Sequence, residues 1–94
     1  MPFWVTARPG FNTVSLWGQV RPGDAHAVTL QRRLPGRAWR TLGTIQTDAF
    51  GVFTAQLVLP GVASLRYGYD DGDAMVYSQA VTVRRSRGVL GPRP

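Results

Sequence analysis

Cysteine, lysine and glutamate are missing from this sequence altogether, and histidine occurs once. Without cysteine there is no disulfide framework, no thiolate metal site and no cysteine nucleophile. Without glutamate, carboxylate chemistry falls to aspartate alone, and a loop of EF-hand type lacks its distal bidentate ligand. No apolar run approaches the length that a membrane span needs. The opening residues MPFWVTARPG have no long apolar segment after a basic end, so they do not read as a signal peptide. No segment sustains an apolar period of 3.6 residues, and essentially no helix is expected.

What the chain does contain is enough for one ordered domain. Its 94 residues can bury a single core without staples, and a hydrophobic content of 44% argues against disorder. All 11 cations are arginine and all 5 anions are aspartate, for a formal net charge of +6. Arginine-only usage beside abundant Gly, Ala and Val fits a GC-rich genome and needs no binding partner. The charge itself still favours salt-sensitive attachment to anionic polymers.

Turn signals recur at the spacing of an all-β sandwich or barrel: Pro9-Gly10, Pro22-Gly23, Pro35-Gly36, Asp48 to Gly51, Pro60-Gly61 and Asp70 to Asp73. Between them seven strands are predicted, at Phe3–Ala7, Thr13–Val20, Ala27–Leu34, Trp39–Thr47, Val52–Leu59, Ser64–Tyr69 and Tyr77–Arg84. The most informative stretch is VTLQRRLPGRAWRTLGTIQTDAFGVF, residues 28–53, which reads as three consecutive antiparallel strands joined by two tight turns. Alternation turns Val14, Leu16, Gly18 and Val20 inward and Ser15, Trp17 and Gln19 outward. Val28, Leu30, Phe53, Ala55, Leu57, Leu65, Tyr67, Tyr69, Val81 and Val83 are likewise inward positions. Leu42-Gly43-Thr44-Ile45 breaks the alternation, and a bulge at Gly43 re-phases that strand. The domain is expected to span residues 1–85, with residues 86–94 a flexible tail or linker.

The succession VTLQRR, a glycine turn, WRTLGTIQTD, a glycine-closed turn, VF, then SLRYGYDDG and SQAVTV resembles the immunoglobulin-like and fibronectin-type-III-like accessory modules of secreted bacterial enzymes and surface proteins. The likeness covers residues 14–83. It implies a single antiparallel β-sandwich of about seven strands, an extracellular or cell-surface location, and a corner tyrosine at Tyr67 or Tyr69 whose hydroxyl bonds a nearby backbone group. Immunoglobulin cysteines are absent, which excludes the disulfide type. The Lys–Asn isopeptide bond of related surface sandwiches is equally impossible without lysine. Such modules serve as spacers, docking surfaces, glycan binders and adhesion domains, so the resemblance does not choose a function.

Chemistry-bearing residues are sparse. His26 reads as an exposed turn histidine, since a Ser–His–Asp relay would need it beside Ser15, Ser64, Ser78 or Ser86, and no spacing suggests that. Asp70, Asp71 and Asp73 could offer oxygens to calcium, but they read better as a polar hairpin turn whose side chains cap backbone amides. Neither a catalytic residue, nor a metal site, nor a cofactor is expected.

Two surfaces remain. On one, Ser15, Trp17 and Gln19 lie beside Thr54 and Gln56, with Trp4 or Val5 nearby; an outward Trp among hydrogen-bonding side chains suits packing of a neighbouring domain or stacking on a sugar ring. The opposite face carries Arg33, Arg66 and Arg84 among Thr and Gln, basic and almost free of aromatics. Single-strand binders interleave arginine with exposed aromatics, so nucleic acid is not favoured as a partner. The expected protein is thus a non-catalytic module of a larger extracellular bacterial protein that spaces or docks neighbouring domains, or holds a polysaccharide. A stand-alone glycan-binding module and a homo-oligomerising structural subunit are the alternatives.

Overall fold

A computed structural model of the chain describes residues 2–7, 13–20, 25–58 and 61–84. It is all-β, with two antiparallel sheets packed as a sandwich. The strands are β1 (Phe3–Ala7), β2 (Thr13–Gln19), β3 (Ala27–Arg33), β4 (Arg40–Gln46), β5 (Val52–Val58), β6 (Val62–Asp70), β7 (Met75–Tyr77) and β8 (Val81–Arg84). One sheet runs β1-β2-β5 and the other β4-β3-β6-β7, with β8 also on β6. Turns at Pro9-Gly10 and Pro22-Gly23, and the tail from Ser86, lie outside the described residues.

The predicted last strand, Tyr77–Arg84, is two strands instead of one. Gly68 pairs with Tyr77 and Leu65 with Val81, so residues 78–80 face only Arg66 and Tyr67 along the same edge of β6. That extra residue is a β-bulge. Ser78 makes it tolerable: its N–H donates to the Tyr67 carbonyl at 2.8 Å and its hydroxyl oxygen accepts the Tyr67 N–H at 3.1 Å. A second irregularity lies where alternation failed in the sequence. Leu30 pairs with Gly43 but Gln31 with Thr41, which leaves Leu42 as the unpaired residue beside Gly43.

Local chemistry explains the tight turns. Between β3 and β4, Arg37 N–H donates to the Leu34 carbonyl at 3.0 Å, and Gly36 takes φ 74°, a conformation L side chains avoid. Pro35 pre-sets the preceding φ. Between β4 and β5, one oxygen of Asp48 accepts the N–H groups of Phe50 and Val52 at 2.8 and 3.0 Å.

Of the inward positions, Val14, Leu16, Val20, Val28, Leu30, Phe53, Leu65, Tyr67, Tyr69 and Val83 are buried, Ala55, Leu57 and Val81 are partly buried against them, and Phe3 joins the core from β1. Tyr67 is fully buried at its centre, meeting Phe3 and Phe53 edge-on at centroid distances of 5.1 and 4.8 Å. Its hydroxyl lies 2.9 Å from the Pro2 carbonyl oxygen and 2.8 Å from that of Gln19, sharing one hydrogen between β1 and β2. The hydroxyl thus crosses to backbone of the opposite sheet.

Candidate functional site

The register of the three-stranded sheet orders its outer face in rows. Trp4 pairs with Trp17 and Trp17 with Thr54; two residues along, Thr6 pairs with Ser15 and Ser15 with Gln56. An aromatic row therefore runs beside a row of hydroxyls and an amide, because cross-strand partners share a face. The indoles of Trp4 and Trp17 stack at a centroid distance of 4.6 Å with 20° between planes. Trp4 is 63% exposed on the edge strand, while Trp17, expected to be widely exposed, is only half-buried and half-open because Trp4 covers one of its faces. An open depression of about 630 Å³ lies along this junction, lined by Trp4, Trp17, Ser15, Thr54 and Gln56.

Five of the six residues expected here thus come together. Gln19 does not, because its side-chain amide donates to the Phe50 carbonyl at 3.2 Å at the β4–β5 turn. Val5, the other option from the first strand, packs inward against the core, leaving Trp4 as the outward partner.

The opposite outer face corrects the sequence reading more sharply. Far from being almost free of aromatics, it carries Trp39 and Tyr77, with guanidiniums on their rings. The Arg66 guanidinium carbon sits 4.2 Å from the Trp39 centroid and 3.9 Å from that of Tyr77, and Arg33 sits 4.8 Å from Trp39. Arg66 Nε also donates to Gln31 Oε1 at 2.8 Å. Trp39 and Tyr77 stood at the ends of predicted strands, where alternation assigns no face. The usable signal was Gly68, an outward glycine between two inward tyrosines, since glycine within a strand marks a close approach. A Cβ placed there would lie 2.6 Å from Tyr77 Cδ1, so the tyrosine ring occupies the space that any side chain at 68 would fill. Arg84 ends β8, and its side chain lies outside the described residues.

His26 is half-buried, not exposed. Its ring lies 5.1 Å from that of Tyr69, its N–H donates to Thr47 Oγ1 at 2.9 Å, and its Nε2 is buried with no hydrogen-bond partner. Packing against Tyr69 draws it in from the turn. In the β6–β7 turn the carboxylates serve backbone amides: Asp70 accepts Gly72 N–H at 2.8 Å, and Asp71 accepts those of Asp73 and Ala74 at 2.9 and 3.0 Å. Those amide bonds hold the Asp71 carboxyl below the ordinary carboxylate value. Among the described residues no group of three His, Cys, Asp or Glu side chains is placed to hold a metal ion.

Fold and surface together define an antiparallel β-sandwich with a stacked-tryptophan face on one sheet and an arginine–aromatic face on the other. No protein-family model, curated protein or solved structure matches the chain.

Proposed function

We propose that this chain is a non-catalytic interaction module of fibronectin-type-III-like kind within a larger extracellular bacterial protein, and that it docks a neighbouring domain through the Trp4–Trp17 face. The strand order supports the fold reading: β1-β2-β5 faces β4-β3-β6 and a bulged final strand. The observation that carries the docking reading is Trp4, a large aromatic left 63% exposed and stacked on a second indole beside a hydrogen-bonding row. Covering an exposed aromatic pair of this kind is how interface hot spots are built. A polysaccharide is the second reading, favoured by the juxtaposition of an indole with Ser15, Thr54 and Gln56 around one depression.

The test compares acrylamide quenching of tryptophan in the isolated chain and in a longer polypeptide that includes its flanking domains. Docking shields the pair and shifts its emission to the blue. Trp17→Ala should weaken that contact by roughly 2 kcal/mol, while moving the stability of the isolated domain by about 1 kcal/mol, the value of one aromatic pair. Equal quenching in both polypeptides refutes docking. Blue-shifted emission of the isolated chain on adding a neutral polysaccharide selects the second reading, and a concentration-dependent shift without any addition selects self-association.

A further inference from the structure

The arginine–aromatic face has more built geometry than a solvated basic surface requires. Arg66 is held from three sides, by the rings of Trp39 and Tyr77 and by Gln31, whose own amide nitrogen lies 3.4 Å from Thr41 Oγ1. Holding a guanidinium this way costs side-chain freedom and desolvation. It also places a second guanidinium, that of Arg33, on the same Trp39 ring. Two like charges gathered on one indole call for a counter-charge, yet the partners of Arg33 and Arg66 among the described residues are aromatic rings and an amide, not carboxylates. Of the described aspartates, Asp48, Asp70 and Asp71 are engaged with backbone amides in turns, and Asp73 sits in the same β6–β7 turn as the last two. The face is therefore preorganised for an anion supplied from outside. Its terminal nitrogens keep the planar fork that suits a carboxylate.

The surroundings narrow the kind of anion. Beside Arg33 opens a depression of about 310 Å³ lined also by Arg37, Ser64 and Thr82. The hydroxyls of Ser64 and Thr82 lie 3.0 Å apart there, a hydrogen-bonding pair at the rim. Carboxylate-binding forks next to hydroxyl groups match a sugar that carries a carboxylate on each unit. The rings, by contrast, spend their faces on guanidiniums and are not a bare platform for stacking nucleobases.

We propose that this face binds an acidic polysaccharide, with Arg66 and Arg33 donating to uronate carboxylates and Ser64 and Thr82 meeting ring hydroxyls. The site lies on the sheet opposite the tryptophan face and stands whether or not that face docks a domain. Tyr77 is a positioning residue, and Gly68 is what lets it lie against the sheet and reach Arg66.

Calorimetric titration of the full chain with oligogalacturonate tests the assignment. Wild type should bind, and the fully methyl-esterified, uncharged oligomer should not. Arg66→Lys keeps the charge but loses the fork and the stack, and should weaken binding about tenfold. Gly68→Ala, which alters no charge, should weaken it comparably by displacing Tyr77; if that variant does not fold, Tyr77→Leu replaces it. Arg40→Gln removes a charge from β4 opposite Arg32, off this face, and should change affinity by no more than about twofold at constant ionic strength. Trp17→Ala should leave binding unchanged. The proposal is overturned if wild type does not bind, if the neutral oligomer binds equally, if Arg40→Gln costs as much as Arg66→Lys, or if oligothymidylate binds more tightly than oligogalacturonate.

Discussion

Gly18→Ala is a small change that should be expensive. Gly18 sits mid-strand in β2, on the inward phase, where alanine is ordinarily the better residue by about 0.5–1 kcal/mol. Here an added Cβ would lie 2.5 Å from Phe53 Cζ and 2.9 Å from Tyr67 Cε1, inside any tolerable carbon–carbon contact. Neither ring can step aside freely. Phe53 is buried edge-on against Tyr67, and the Tyr67 hydroxyl is tied to carbonyl oxygens of two other segments. Overpacking of this kind costs about 1–3 kcal/mol, and pinned rings place this site at the upper end. After the gain in strand propensity, a net loss of about 2 kcal/mol is expected. In a domain this small each kcal/mol moves Tm by about 4–8 °C, so the midpoint should fall by roughly 8–16 °C. Urea titration followed by tryptophan fluorescence measures the loss directly. A double-mutant cycle isolates its cause: in a Phe53→Leu background, where that ring is gone and only the Tyr67 contact remains, Gly18→Ala should cost about 1 kcal/mol less than in the wild type. An unchanged midpoint for Gly18→Ala, or a cycle that is simply additive, refutes the picture of Phe53 and Tyr67 packed onto a bare backbone.

Ser78→Ala should cost about 1–3 kcal/mol, because the buried Tyr67 N–H loses the hydroxyl oxygen that accepts it in the bulge; a loss under about 0.5 kcal/mol shows that the bulge does not depend on that side chain. The Asp71 carboxyl titrates below its ordinary 3.8, so folding favours its ionised form. Its contribution is complete above the unfolded carboxylate value and disappears as pH falls through the lower folded value. The stability gap between wild type and Asp71→Ala should therefore be present at neutral pH and close in acid, and a gap that widens on acidification contradicts the turn geometry.

Much of the sandwich was legible because its signals are local. A period of two residues is a property of consecutive side chains, and it identified Val14, Leu16, Phe53, Leu65 and Tyr67 as core without knowledge of any partner. Proline and glycine marked turns for equally local reasons of backbone freedom, as at Pro35-Gly36. Even the irregular Leu42-Gly43 was visible as a break in phase. The outward placement of Trp17, Ser15, Thr54 and Gln56 followed from the same alternation.

Pairing between distant strands was decided only in three dimensions. The sequence determined that Trp17 faces outward; only the β1–β2 register placed Trp4 directly across from it, where the two indoles stack. Arg33, Trp39, Arg66 and Tyr77 come from separate elements, and no spacing along the chain announces that they share one surface. Gly18 and Gly68 look alike in the sequence, each a glycine inside a strand. Tertiary packing makes the first a notch in the core for Phe53 and the second a seat on the outer face for Tyr77. Alternation is set by neighbours one bond away, whereas register and ring contacts are set by long-range hydrogen bonding and by the volume that each side chain leaves for another.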